Sequence, residues 1–245
     1  MSLYALGDLH LFSEDENFMD KYGRVWVRHK EKILKNCSKI VKDEDTIVFT
    51  GDNSFAKKIN RCFDDMDFIK SLPGRKILIR GNHDRYWESK KTDRLNDTFK
   101  GELNFLQNNF YTYEDYALVG TKGFTFEGPF YLDRFGNIID IDRDALDHSK
   151  VLIKREEERI RCSFDKAVEA GYNKFIMFLH YPPTNILETE SIFTQIAKEY
   201  GVSHVVYSHS HGKPRFHDSI IGEYEGVNYH LVSGDYLNFK PEKIL

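Results

Sequence analysis

The sequence predicts an α/β fold in one compact domain. Short apolar, β-branched runs alternate with segments whose apolar residues recur at helical spacing, the pattern of a sheet fed by crossover helices. Several of those runs end in the same polar punctuation of Gly, Asp, Asn and His. The chain also has the material for a core. It has 245 residues, 40% of them hydrophobic and 14% aromatic, unlike a disordered chain of low hydrophobicity and high net charge.

The elements follow in order. Leu3 to Leu6 is a strand, and Ile33, Leu34, Cys37, Ile40 and Val41 mark a helix over about 30–42. Thr46 to Thr50 is a second strand, and Cys62, Phe63, Met66, Ile69 and Leu72 mark an amphipathic helix stopped by Pro73-Gly74. Lys76 to Ile79 is a third strand, so the first three strands are expected to pair in parallel through right-handed crossovers. Residues 91–107 are expected to form a further helix, with short strands at 110–113 and 116–121. Segment 124–141, with Gly128-Pro129 and several aromatics but no clear period, reads as a long loop or small excursion. A charged helix follows over 142–170 with Gly171 as its cap, then strands at 174–179 and 205–207 flanking a helix near 190–200. The tail over 224–237 suggests one or two antiparallel strands. No repeat or linker interrupts 1–245, which reads as a single domain.

Composition narrows the function. The net charge of −4 holds out no basic field for nucleic acid or anionic membrane. The longest purely apolar run, Phe175 to Leu179, is far below the ~20 residues that span a bilayer. The first residues lack the basic and apolar regions of a secretory signal, so a cytoplasmic location is expected. Cys37, Cys62 and Cys162 form no Cys-x-x-Cys pair and read as buried reduced thiols.

The chemistry lies in the punctuation. The first strand ends in Gly7-Asp8-Leu9-His10, the second in Gly51-Asp52-Asn53, and the third in Gly81-Asn82-His83-Asp84. Later, Phe175 to Leu179 ends in His180, and Val205 to Tyr207 runs into Ser208-His209-Ser210-His211. Ligands of open α/β sheets bind outside the carboxyl ends of the strands, so these side chains are placed to converge. Asp8 with His10, and His209 with His211, are spaced i, i+2, which an extended backbone points to one face. Asp, Asn and His without thiolate form a mixed oxygen and nitrogen ligand set too large for one tetrahedral ion. It suits two ions sharing a carboxylate, a known device for phosphate-ester hydrolysis. The imidazoles disfavour calcium and magnesium, and manganese, iron or zinc fit better.

This ordered set, Asp-x-His, Gly-Asp, Gly-Asn-His-Asp, a lone His and then His-x-His, resembles the calcineurin-like metallophosphoesterase superfamily over positions 8 to 211. The resemblance implies a β-sandwich of two mixed sheets flanked by helices, a four-layer αββα fold. It also implies that Asp8, His10 and His211 hold one metal ion, that Asp52 bridges to a second, and that Asn82, His180 and His209 complete the ligands of that second ion. His83 would then be the non-ligand histidine that protonates the leaving oxygen, with Asp84 orienting it. Ser208 departs from the family's usual Gly before the last His-x-His, leaving either an added hydrogen bond or a crowded turn. Asn53 stands where many members have an apolar residue, and reads as a phosphate contact or a turn residue about equally.

Taken singly, any of these histidines is more often a satisfied core or surface residue than a ligand; only the joint pattern is specific. Arg85 can grip a phosphate bidentately, although a lone Arg is more often solvated. His29, His148, His204, His217 and His230 lack ligand spacing and read as structural. The expected function is hydrolysis of a phosphomonoester or phosphodiester by metal-activated water. A small phosphoester is the expected partner and a phosphoprotein the second reading. The rival from another class is a metallophosphoesterase-like scaffold without activity, whose signature would be missing ligands or a missing acid histidine.

Overall fold

The computed structural model describes residues 1–88 and 90–245. Its first half alternates β1 (Leu3–Leu6), α1 (His29–Ile40), β2 (Thr46–Phe49), α2 (Phe63–Ser71), β3 (Arg75–Leu78), α3 (Thr92–Thr98) and β4 (Leu103–Phe105). The four strands pair in parallel in chain order, with Leu3 opposite Thr46, Thr46 opposite Arg75, and Lys76 opposite Leu103. The second half contributes β5 (Phe110–Tyr113), β6 (Tyr116–Thr121), β7 (Phe130–Leu132), β8 (Ile138–Ile141), α4 (Arg143–Glu169) and β9 (Phe175–Leu179). After them come α5 (Ile192–Glu199), β10 (His204–Tyr207), β11 (Gly222–Tyr224), β12 (Val227–Leu231) and β13 (Glu242–Lys243). A second sheet runs β11-β12-β10-β9-β6-β5, parallel in its centre and antiparallel at both edges, while β13 returns to pair antiparallel with β1.

The layers follow from the period of 2 along the strands. In β9, Phe175, Met177 and Leu179 face outward onto Ile160 and Phe164 of α4 and Phe193 and Ile196 of α5. Ile176 and Phe178 face inward onto Val48, Ile77 and Ala5 of the first sheet. All five are buried because both faces of the strand are covered, which is why the run carries no polar alternation. On the first sheet, Leu6, Ile47, Phe49 and Leu78 pack against Ile33 and Cys37 of α1 and Met66 and Ile69 of α2. The order helix–sheet–sheet–helix is the mixed αββα architecture expected. Among the described residues no helix is long and apolar enough to cross a membrane.

One local expectation is corrected and two are sharpened. Segment 91–107 is a seven-residue helix followed by a strand, because the chain turns at Gly101 (φ 84°) and then buries Leu103 and Phe105 on alternate positions against β3. Segment 124–141 holds the β7–β8 hairpin, a two-stranded sheet of its own. The tail strands β11 and β12 do pair antiparallel, but β12 runs parallel to β10, and β13 lies beyond the predicted range. All three cysteines are free; burial pushes the Cys37 and Cys62 thiols up to about 12.

Candidate metal centre

The ends of β1, β2, β3, β9 and β10 meet at one edge of the sandwich. Past β1, the amide of Asp8 donates to the carbonyl of Gly51 (3.0 Å) and that of His10 to the carbonyl of Asp52 (2.8 Å), so the first two motifs are stitched together beyond their strands. The backbone there is not extended. Asp8 (φ 57°), His10 (φ 44°), Asp52 (φ 51°) and His209 (φ 72°) all adopt the left-handed region, which corrects the reason expected for their convergence. Tight left-handed turns, not strand alternation, aim these side chains together. Each such residue costs on the order of 1–3 kcal/mol, tolerated where the surrounding structure holds it. The motif glycines allow the crowding. A Cβ on Gly81 would meet Asp52 Oδ1 at 2.1 Å, and one on Gly51 would meet His180 Nδ1 at 2.5 Å.

Two groups of side chains emerge that can each hold a metal ion: Asp8 with His10 and His211, and Asp52 with His180 and His209. Asp52 lies between them, Oδ2 at 3.7 Å from His10 Nε2 and Oδ1 at 3.5 Å from His180 Nε2. Asn82 joins the second group, its Oδ1 at 2.8 Å from His180 Nε2. The grouping is the one the motif resemblance implies.

Hydrogen bonds fix which nitrogens are free. His180 Nδ1–H donates to the carbonyl of Thr50 (3.0 Å), leaving Nε2 with a lone pair. His209 Nε2–H donates to Glu127 (3.0 Å), leaving Nδ1, and His211 Nδ1–H donates to Asp235 (2.9 Å), leaving Nε2. His209 Nδ1 and His180 Nε2 then face each other at 3.2 Å, two lone pairs with no proton between them. His10 Nε2 and His211 Nε2 stand equally close, and Asp8 Oδ1 is buried with no hydrogen-bond partner among the described residues, 3.8 Å from His211 Nε2. Such converging acceptors call for cations.

Electrostatics agree. Burial, reinforced by Asp84 and Asp8, pushes the Asp52 carboxyl well above its usual range, and burial raises Asp8, with His211 opposing. Burial also holds the His10 and His180 imidazoles well below their ordinary value, with neighbouring histidines adding to it. Without an ion, the buried Asp8 and Asp52 carboxyls are therefore pushed toward their protonated form and the His10 and His180 imidazoles toward their neutral form; burial lowers His211 too, but Asp8 and Asp235 outweigh it and raise that imidazole. A bound dication would favour the carboxylate and neutral-imidazole forms.

A family model described as calcineurin-like phosphoesterase matches residues 1–213. The chain belongs to that family. Among similar proteins, an uncharacterized protein of Methanocaldococcus jannaschii is 31% identical over 89 residues, which is 35% of this chain and 48% of that protein. This chain thus spans about half the length of the curated relative it matches. A solved protein of unknown function from Aquifex aeolicus superposes with a TM-score of 0.50 at 15% identity, over 99% of this chain and 95% of that one. The structure of TT1561 of Thermus thermophilus does so with a TM-score of 0.50 at 12% identity, over 98% and 96%. At such identities the likeness concerns the fold. The residues of this family member fit a binuclear metal centre.

Two members of the site carry no motif. Glu127, in the loop before β7, and Asp235, just beyond β12, each accept the outward N–H of a candidate ligand histidine. Carboxylate–histidine pairs of this kind fix the ring's tautomer and raise its basicity. Glu127 also pairs with Arg215; burial pushes its carboxyl up, but His209 and Arg215 outweigh that and hold it at about 2. Asp235→Asn is expected to weaken metal binding about 10–100-fold, read by competition with a chromophoric chelator; an unchanged affinity would show that the contact does not act on the metal.

Other expectations change. Asp84 accepts from the amides of Asn53 (2.9 Å), Ser54 (3.0 Å) and Gly81 (2.8 Å) and from Asn53 Nδ2 (3.0 Å); among the described residues none of these contacts is with the His83 ring. It ties the loop after β2 to the loop after β3 and so positions Asp52 and Asn82, not the His83 imidazole. Asn53 is fully buried, with Nδ2 donating to Ile79 (2.9 Å) as well as Asp84. That burial and those bonds fit the turn reading of Asn53. Ser208 adds the hydrogen bond, its hydroxyl donating to the carbonyl of Thr50 (2.8 Å) beside His180 Nδ1 (3.2 Å). Arg85 is exposed and lines an adjoining pocket. Of the remaining histidines, His29 contacts the carbonyl of Trp26 and His230 joins β12 to Glu242 of β13 (2.7 Å).

Proposed function

We propose that this chain hydrolyses phosphomonoesters or phosphodiesters with two bound divalent or trivalent ions, manganese, iron or zinc. The carrying observation is the convergence of oxygen and nitrogen donors from Asp8, His10, Asp52, Asn82, His180, His209 and His211 at the strand ends. Held by these residues, such ions would polarise the phosphoryl group and lower the pKa of a bound water toward neutrality.

The chain's own part is positioning and proton transfer. Hydrogen bonds to Thr50, Glu127 and Asp235 lock the imidazoles, so little reorganisation accompanies the reaction. His83 has a different environment. Its ring is 42% exposed and packs on Phe55 (5.0 Å) and edge-on to His10 (5.6 Å), placed beside the donors but open to a ligand. Water supplies the oxygen that bonds to phosphorus and gives up a proton to solvent, the bond to the leaving oxygen breaks with its electron pair on that oxygen, and His83, protonated beforehand from solvent, delivers a proton to it. No phosphorylated side chain forms. The test is hydrolysis of 4-nitrophenyl phosphate and of its bis ester with each metal supplied in turn. Turnover of at least one, abolished by chelation and restored by metal, is expected; no turnover with any metal would favour the scaffold.

A further inference from the structure

We propose that the leaving side of this centre contains a second anion subsite, formed by Lys57, Lys58, Arg85 and Arg94, that selects phosphoesters whose leaving group carries another phosphate. This rests on the proposed phosphoesterase reading and names its substrate class. The subsite is a cavity of about 290 Å³ that also touches Tyr86, Glu88 and Lys91.

Its charge is unlike that of the whole chain. Against a net charge of −4, five cations and one carboxylate line this pocket. Glu88 pairs with Lys91 at 2.7 Å, while among the described residues no carboxylate stands within ion-pair distance of Lys57, Lys58, Arg85 or Arg94. Unpaired cations held around one concavity repel each other and are relieved by a multivalent anion.

Its position joins it to the reaction. Lys57 and Lys58 follow Phe55, whose ring lies 5.0 Å from that of His83, and Arg85 comes two residues after His83, its amide donating to the His83 carbonyl (2.7 Å). Both walls therefore spring from segments that flank the acid. Because these segments carry both His83 and the cations, we place the substituent of a leaving oxygen protonated by His83 on this side. The recognised chemistry is a phosphate dianion, with Arg85 and Arg94 able to take two oxygens each. A small molecule is favoured over a nucleic-acid strand because the cations surround a bounded pocket rather than track along a groove.

Matched probes test this. Phenyl phosphate and hydroquinone bisphosphate differ only in a distal phosphate. The ratio of kcat/KM, bisphosphate over phenyl phosphate, is expected to exceed about tenfold at low salt and to collapse toward one in Lys57→Glu/Arg94→Glu. A ratio near one in the wild type, or one the double variant leaves unchanged, overturns the subsite. Binding is read separately by calorimetric titration of 1,4-phenylene bisphosphonate into the metal-loaded protein, where the double variant is expected to bind at least about tenfold more weakly. Equal affinity overturns the subsite even if the chain turns over nothing. Failure of both phenyl phosphate and the bisphosphate to be hydrolysed with any metal counts against the phosphoesterase reading instead. Preferential capture of a single-stranded oligonucleotide, lost in the same variant, would overturn the small-molecule assignment.

Discussion

His83→Ala is expected to keep both metal ions and to lose roughly 10²–10⁴-fold in kcat, the usual worth of a positioned general acid. The structure separates its two contributions. Its backbone amide donates to Asp52 Oδ1 (2.8 Å), whereas its ring packs on Phe55 and lies 4.0 Å from Asp52 Oδ2 without joining either ligand group. Truncation at Cβ leaves the amide in place, so Asp52 keeps its orientation while the acid disappears. The loss should also depend on the leaving group. An alkoxide needs the proton in the transition state and 4-nitrophenolate scarcely does, so the variant should be damaged far more on an alkyl phosphate than on 4-nitrophenyl phosphate. Metal content measured on the same samples completes the test. Equal damage on both substrates, or loss of metal, would falsify the acid assignment.

The fold and the ligand set were legible for a common reason. Alternation of apolar runs with helical periodicity is local information, and a sheet of parallel strands puts successive carboxyl ends on one edge, so motifs distant in sequence converge. What stayed hidden depends on partners far along the chain. Glu127 and Asp235 are single acids in loops, and nothing in their neighbours distinguishes them from solvated carboxylates; only the return of the chain to His209 and His211 gives them a role. Asp84 shows the same limit from inside a motif. Adjacent to His83, it suggested a pair, yet its hydrogen bonds run to the amides of Asn53 and Ser54, which are reached only when β2 and β3 lie side by side. β4 was missed because seven helical residues and three strand residues together resemble one helix period. The left-handed turns at Asp8, His10, Asp52 and His209 leave a sequence trace only in the glycines before Asp8 and Asp52, and that trace reports crowding as much as conformation.

Asp52→Asn is expected to lose metal from both sites, reversing the order of stability between variant and wild type according to whether metal is present. Asp52 is buried between the two ligand groups and faces one with each oxygen, so the isosteric amide keeps the shape but removes the shared charge and presents N–H groups to one of them. Metal affinity should fall by more than the roughly 10–100-fold typical of a residue that only orients a ligand. Without metal the effect reverses. Burial, with Asp84 and Asp8 alongside, raises the Asp52 carboxyl well above its unfolded value near 3.8, so its contribution is full below that value and is lost as pH rises through the folded pKa. The metal-free wild type is therefore burdened at neutral pH by a group the amide lacks, and chelated Asp52→Asn should melt above chelated wild type, by a margin that widens as pH rises. Adding metal at about a hundred times its Kd stabilises the wild type by about 2.7 kcal/mol, on the order of 5–10 °C in Tm for a chain of this size, and should move the variant little. Thermal melts of both proteins, with and without metal at two pH values, decide the matter. Parallel metal-induced shifts in the two proteins would remove Asp52 from its place between the ions.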